Sequence, residues 1–580
     1  MEKKRDEDLD QRQSVLRSAR WFKPNDLRSF GHRSRIKQLG YSEEDFQDKP
    51  IIAIISTYSG LNSCHGHFPQ RVEEIKRGVY QAGGFPVELP ALSLDESFQK
   101  PTTMLYRNLL ALETEEVLRS HPVDGAVLMG GCDKTTPGTL MGAISADIPS
   151  IFFPAGPMMS GCWKGEVLGS GSDAWKYWDD LRAGNISECD WKGIEGGIAR
   201  THGHCMTMGT ASTMTAIAET LGFTLPGASS VPAVSANHSR LAAETGRMSV
   251  EIALKQRPPS KIISEASVRN AATVALALGG STNAVVHLVA MARRAGLNTG
   301  VDLFDELADR VPLLANIRPT GQYLMQDFYD AGGLRGLLQQ LKPLLNQQCL
   351  TINGDRILEE HDDNEVYDED VIRSIDAPVT RRPALRVLYG NLCPDGALIK
   401  PSSMDPDKTK HIGPALVFDS YRELKAQIDD PSLDVDANTV LVMRGAGPVG
   451  GPGMPEWGMM PLPKKLLEAG VRDLVRISDA RMSGTSYGTC ILHAAPEAAV
   501  GGPLAALRTG DLVELDVDAG SLNALVDGEE WAQRLSRLQA ASFEDDRGWV
   551  KLYRTHVNQA DSGCDFDFLA GVDTREPEIL

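Results

Sequence analysis

Three of the nine cysteines in this 580-residue chain stand in polar, glycine-rich surroundings: Asn62-Ser63-Cys64-His65-Gly66-His67, Gly130-Gly131-Cys132-Asp133-Lys134 and Gly203-His204-Cys205-Met206. Glycine lets backbone amides come close to a thiolate or sulfide. Cys205 precedes an apolar, helix-like run from Thr210 to Leu221, and negative charge is stabilised near a helix N-terminus. One such cysteine is more often a buried structural thiol; three alike point to a shared ligand. Their wide separation lacks the close pairs of a structural zinc site, no CxxC occurs, and an odd count without a secretory signal is not a disulfide framework. Spacing alone names no metal.

A second group is acidic. Asp133-Lys134 adjoins Cys132, and a carboxylate beside a thiolate is repulsive unless a cation is near, with oxygen ligands suiting magnesium. Glu96 in LDESFQKPT and Glu456 in GPVGGPGMPEWGMM lie in turn or glycine-rich contexts. The third signal is the polar loop from Ser478 to Thr489, which follows Leu474-Val475 and carries Ser483 and Thr485. Its hydroxyls can bind a carboxylate or, deprotonated, act as a base. The Gly-x-Ser-x-Gly elbow of hydrolases is absent around Ser483.

The elements that must position these residues read as an α/β pattern. Ile51 to Ile55 is a continuous apolar run of the kind a parallel strand buried on both faces shows. Val72, Ile75, Val79 and Ala82 recur at helical spacing before Gly83-Gly84, and Phe85 to Leu89 starts another strand. Leu105 to Ser120 reads as helix, with Gly125 to Met129 and Ser150 to Pro154 as strands. Strands alternating with helices predict a parallel sheet, with ligands at the carboxyl ends of its strands, where Cys132 falls. Past about residue 375 short apolar stretches and turns, such as Asp511 to Val517 and Ser521 to Val526, predict a β-rich second region, a barrel, with the boundary near Asp376 to Pro383.

A net charge of -19, with 42% hydrophobic and 24% charged residues, describes a globular protein that disfavours nucleic acid and anionic membrane surfaces as partners. A small molecule is the simpler partner. The polar start MEKKRDEDLDQRQ and the lack of a long apolar run predict a cytoplasmic protein.

Cys64, GGCDKTTPG (130–138), HCMTMGTASTM (204–214), GGSTNAVVHL (279–288), GPGMPEWGMM (451–460), SDARMSGTSYGT (478–489) and PEAAVGGPLA (496–505) together resemble the dihydroxy-acid and sugar-acid dehydratase family. The resemblance spans nearly the whole chain. It implies an N-terminal α/β domain (1–378) and a smaller C-terminal β-barrel-like domain (379–580), with the active site between them and across a dimer contact. It further implies that Cys64, Cys132 and Cys205 ligate an iron–sulfur cluster, leaving one iron open for substrate. Glu96, Asp133, Glu456 and a carbamylated Lys134 are then magnesium ligands, Ser483 is the base as an alkoxide, and Thr485 contacts the substrate carboxylate. Three cysteines fit [2Fe–2S] or [4Fe–4S]; the pentonate-like motifs favour [2Fe–2S]. Homodimers or homotetramers are implied as well.

The reaction so implied removes water from a 2,3-dihydroxy acid to give a 2-keto-3-deoxy acid. GCDKTTPG and DARMSGTSYGT are similar to pentonate and aldonate dehydratases, so arabinonate, xylonate or another aldonate leads. Short aliphatic substrates such as 2,3-dihydroxyisovalerate or glycerate are the alternative. A phosphorylated gluconate is disfavoured by the lack of an obvious basic cradle. A cluster-binding sensor or carrier would need the cysteines but not Glu96, Glu456 or Ser483. The family usually flanks the first cysteine with proline and asparagine and often follows the third with asparagine, where this chain has Ser63, His65 and Met206. His65, His67, His202 and His204 cluster near the cysteines, each either a hydrogen-bond partner of a substrate hydroxyl, the role expected of His67, or a structural histidine.

Overall fold

The computed structural model describes residues 16–359, 365–543 and 546–579. Its first half is built on four parallel strands, β1 (Ile51–Ser56), β2 (Phe85–Pro90), β3 (Gly125–Gly130) and β4 (Ser150–Pro154), in the order β2-β1-β3-β4. Ile51 to Ile55 are all buried, which is why that run is apolar throughout rather than alternating. The helices used below are α1 (Phe68–Gln81), α2 (Met104–Ser120), α3 (Thr135–Ala146), α4 (Ser170–Arg182), α5 (Thr210–Thr220), α6 (Ala236–Leu254), α7 (Glu265–Ala277) and α8 (Asn283–Arg294). Two packed pairs, α1 with α6 and α2 with α3, cover the sheet. A small antiparallel hairpin, β5 (Gly161–Trp163) with β6 (Glu166–Leu168), leads into α4; the sequence pattern gave no sign of it.

Because β1 continues to β2 on one side while β3 lies on its other side, the chain direction across the sheet reverses between β1 and β3. A crevice opens at the carboxyl ends of such a strand pair. The loops leaving these two strands carry Cys64 and Cys132.

The second half closes into a barrel of eight strands, β7 (Arg386–Gly390), β8 (Cys393–Ile399), β9 (Lys410–Phe418), β10 (Val440–Met443), β11 (Arg476–Ser478), β12 (Cys490–Ala495), β13 (Leu512–Asp516) and β14 (Ser521–Ala524), in the order β10-β11-β12-β8-β7-β14-β13-β9. Its interior holds Val440, Val442, Ile477, Ile491, Val513 and Leu515, among others. The loop of Ser483 joins β11 to β12.

The chain does not end in the barrel. Helix α9 (Gly548–His556) and the residues after it return to the first domain, where Tyr553 and Phe566 pack with Met104, Leu105, Val286 and Met454. Buried Arg294 of α8 grips Asp565 with two hydrogen bonds of 2.7 and 3.0 Å. Among the described residues no helix is long and apolar enough to cross a membrane.

Candidate active site

Cys64 lies in a short helical turn, Ser63–His65, after β1; Cys132 bridges β3 and α3; Cys205 sits in the loop before α5. The three thiols are electrostatic neighbours. The adjoining Cys132 thiol, burial and the charges of Cys205 and Asp95 push Cys64 well above the ordinary thiol range. Burial, with Asp133 and Cys132 adding to it, pushes Cys205 up to about 12. Thiols that resist ionisation in one another's company suit a cationic group that would draw their protons off.

The loops are locked together by a histidine whose tautomer the geometry sets. The Cys132 N–H donates to His65 Nε2 at 3.1 Å, so the ring proton is on Nδ1, which donates to the Thr57 carbonyl at 2.9 Å. His65 stacks on Phe68 with ring centroids 4.3 Å apart, and burial lowers its pKa to about 4, keeping it neutral. Asp95 holds the other end of the turn by accepting from Ser63 N and Oγ at 3.1 and 3.2 Å. Gly131 is required for the approach, since a Cβ there would lie 2.3 Å from Ala155 Cβ.

Beside the thiols three carboxylates surround one ammonium. Lys134 Nζ, fully buried, lies 3.1 Å from Glu96, 3.3 Å from Asp133 and 3.3 Å from Glu456. Burial and Arg481 act to lower the lysine pKa, but the three carboxylates outweigh them and raise it. Glu96 accepts from Thr102 Oγ1 at 2.8 Å and from the Thr103 hydroxyl; burial opposes its ionisation, yet Lys134, Arg481 and these hydroxyls bring it down to about 2. Glu456 accepts from Arg481 Nη1 at 2.9 Å and from Asn283 Nδ2 at 2.9 Å. Arg481 also donates to the Met454 carbonyl at 2.7 Å and to Thr102 Oγ1 at 3.0 Å.

Three carboxylates against Lys134 and Arg481 leave the cluster one negative charge in excess. Among the described residues no three His, Cys, Asp or Glu side chains converge as the shell of a single ion; the carboxylates converge on the lysine instead.

Ser483 follows two residues after Arg481. Its Oγ lies 2.9 Å from Thr485 Oγ1, a contact in which either hydroxyl can be the donor, and accepts from the Thr485 N–H at 3.4 Å, which stabilises negative charge on the oxygen. The loop is wedged between helix starts. A Cβ on Gly171, in the first turn of α4, would lie 1.8 Å from Thr485 Oγ1, and one on Gly484 would lie 2.7 Å from the backbone nitrogen of Thr210, which opens α5.

The structure thus brings Cys64, Cys132 and Cys205 together, and Glu96, Asp133, Lys134 and Glu456 together, with Arg481 joining Glu456 to the strand-end loop of Ser483 and Thr485. His67 has a backbone partner: its Nε2–H donates to the Ala155 carbonyl at 3.0 Å, which leaves Nδ1 an acceptor with no protein donor. Burial, reinforced by His238 and Arg71, lowers its pKa to about 2, so the ring is neutral. His204 likewise donates to the Cys205 carbonyl at 3.0 Å. Sequence reasoning missed Arg481, Asn283, Thr102 and Thr103 as parts of the site. Asn283 and Arg481 lie inside motifs that carried the resemblance, so motif membership was the signal available.

A parallel α/β domain, a closed barrel and a polar site at their junction define a two-domain enzyme scaffold. Family models describe residues 49–360 as a dihydroxy-acid/6-phosphogluconate dehydratase N-terminal domain and residues 370–564 as the C-terminal domain. The chain belongs to this dehydratase family and is a hydro-lyase. It is 53% identical to a 6-deoxy-6-sulfo-D-gluconate dehydratase of Pseudomonas putida, over 97% of this chain and 98% of the relative. It is 45% identical to an L-arabonate dehydratase of Azospirillum brasilense, over 97% and 98% of the two chains, and 36% identical to a D-xylonate dehydratase of Caulobacter vibrioides, over 95% of each.

Proposed function

We propose that this protein dehydrates a sugar acid, an aldonate bearing hydroxyls at C2 and C3, to a 2-keto-3-deoxy acid. The observation that carries the reading is the meeting of three thiols from three loops with three carboxylates from three loops, next to a serine held by a hydroxyl and an N–H.

The donor sets fit two groups. Cys64, Cys132 and Cys205 would hold an iron–sulfur cluster, [2Fe–2S] in preference to [4Fe–4S]. Glu96, Asp133 and Glu456 would hold Mg2+ through oxygen, with Lys134 joining them once carbamylated, which exchanges its ammonium for an anionic oxygen ligand. Bound, the two groups supply Lewis acidity toward the departing C3 hydroxyl and the carboxylate end of the substrate.

The chain's own groups do the rest. Thr485 donates to the substrate carboxylate. Ser483, as alkoxide, takes the C2 proton and passes it to the departing C3 hydroxyl, which leaves as water and restores the alkoxide; the enol that remains becomes the ketone by giving up its hydroxyl proton and taking one at C3. Arg481 and Asn283 hold Glu456 against drift, and His67 Nδ1 accepts from a substrate hydroxyl. Assembly as a homodimer or homotetramer accompanies this reading.

Among substrates, 6-deoxy-6-sulfo-D-gluconate is the first to assay, ahead of arabinonate and xylonate, because that is the substrate in the name of the 53% identical relative. This reopens the question of an anionic far end, which the lack of a basic cradle in the sequence had argued against. The test is an anaerobic preparation with Mg2+, screened against the sulfonated hexonate, gluconate, pentonates and 2,3-dihydroxyisovalerate. A brown protein that forms 2-keto acid from one or more aldonates is expected. A colourless, iron-free preparation with full activity, or turnover of dihydroxyisovalerate alone, would overturn it.

A further inference from the structure

His493 is bent into an unusual place. It lies in β12 with φ +58°, where the pairing of β12 with β8 slips between Leu492 and Ala495. A left-handed backbone at a non-glycine residue is costly and marks positions the surroundings over-determine. The ring is buried at 3% exposure, yet neither nitrogen has a protein partner.

Two further buried groups share that condition. His287 lies one turn beyond Asn283 on α8. Its Nδ1 accepts from Arg107 Nη1 at 3.0 Å, and because a guanidinium only donates, the ring proton is on Nε2, which has no protein acceptor. The hydroxyl of Tyr553, on α9, is unpartnered too.

These groups are neighbours of Arg481. The backbone N–H of His493 donates to the carbonyl of Ala480, the residue before Arg481. Arg481 Nε donates to Met454, which packs with Tyr553, Cys564 and Val286, the neighbour of His287. Arg107 bridges His287 to the Cys564 carbonyl. The charge of Arg481 is felt by all three side chains. Of five guanidinium N–H groups, three serve Glu456, Thr102 and Met454, leaving two.

We propose that His287 Nε2, the two His493 ring nitrogens, the Tyr553 hydroxyl and the spare N–H groups of Arg481 enclose an internal site for ordered water, and that this water positions Arg481 and, through it, Glu456. Buried polar atoms without protein partners are satisfied by water where two to four of them converge. Water fits this set because its molecules, each accepting two hydrogen bonds and donating two, can accept from His287, Tyr553 and Arg481 between them and donate to the bare nitrogen of His493. A cation is opposed by Arg481 and Arg107, and an anion offers that nitrogen no proton.

The positioning role rests on the proposed Mg2+ site; the water itself does not. A crystal structure of the full chain at water-resolving resolution is expected to show ordered water within hydrogen-bond distance of His287 Nε2, His493 and Tyr553 Oη. A dry space there, or an anomalous peak at that point in bromide-grown crystals, would overturn the proposal. Calorimetric titration of the cluster-loaded protein with Mg2+ tests the role. His493→Phe is expected to weaken binding about tenfold or more with cluster absorbance unchanged, as loss of outer-shell partners does. His493→Asn, which tolerates the left-handed backbone and keeps polar atoms, is expected to stay near wild type. If the Phe variant misfolds, Tyr553→Phe, which removes one oxygen, is expected to weaken binding several-fold. Wild-type affinity in a folded His493→Phe or Tyr553→Phe protein would remove the positioning role. A wild-type protein that binds no Mg2+ but shows the water would instead defeat the proposed metal site and leave the water site standing.

Discussion

At the scale of residues, Ser483 and Arg481 divide the work of one short loop. Arg481 turns back toward Glu456 and Thr102, while Ser483 keeps its oxygen between the Thr485 hydroxyl and N–H. The general base proposed for Ser483 contributes roughly 10²–10⁴-fold in such a role. Ser483→Ala is therefore expected to lower kcat by about 10³-fold or more, with cluster absorbance and secondary structure intact, in anaerobic kinetics followed by keto-acid formation. Undiminished turnover would assign the proton transfer elsewhere. The thiols and acids of the site were legible in the sequence because each sits in a loop that glycines, turn residues or polar neighbours mark. Arg481, Asn283 and Thr102 were not, because what they do depends on partners distant in the chain: Thr102 meets Arg481 across 379 residues and Asn283 meets Glu456 across 173. Nothing local distinguishes such an arginine from a surface one. His65, which departs from the family's usual flank of the first cysteine, ties that loop to the next through the Cys132 N–H.

At the scale of elements, strands β1, β3 and β4 could be read within a residue of their ends because burial on both faces leaves a continuous apolar run. Of the barrel strands, three to nine residues long, β13 and β14 could be read from Asp511 to Val517 and Ser521 to Val526, and the others only as a change of texture, since closure rather than local pattern decides which strand pairs with which. The close fit of the Ser483 loop against the start of α4 was invisible for the same reason. It yields a sharp expectation. Replacing glycine by alanine inside a helix ordinarily stabilises it by about 0.5–1 kcal/mol. At Gly171 the new methyl would lie 1.8 Å from Thr485 Oγ1, so Thr485 must move. A displacement on the order of 1 Å in a positioning group costs about 10²-fold. Gly171→Ala is expected to cut kcat/KM by about 10–100-fold while thermal unfolding shifts little. A variant that kept wild-type kinetics would show that Thr485 does not hold the substrate.

At the scale of the whole molecule, the site depends on two domains staying in register, because Glu456, Arg481 and Ser483 come from the barrel half and the thiols, Glu96, Asp133, Lys134 and Asn283 from the sheet half. The returning tail clasps that seam. Its strongest bond is the pair Arg294–Asp565, with Arg294 fully buried and Asp565 at 4% exposure. Removing one partner of such a pair strands a charge in a poorly solvated place and costs about 3–5 kcal/mol, whereas exposed pairs contribute little. Asp565→Ala is expected to destabilise the protein by that amount in denaturant unfolding, while Glu306→Ala, which breaks the exposed Arg269–Glu306 pair, leaves the unfolding midpoint in place. Because Asp565 adjoins Cys564, whose carbonyl binds Arg107 and thereby His287, the loosened tail is also expected to weaken Mg2+ binding below the unfolding transition. Equal unfolding curves for wild type and Asp565→Ala would mean that the tail only lies along the seam and does not hold it closed.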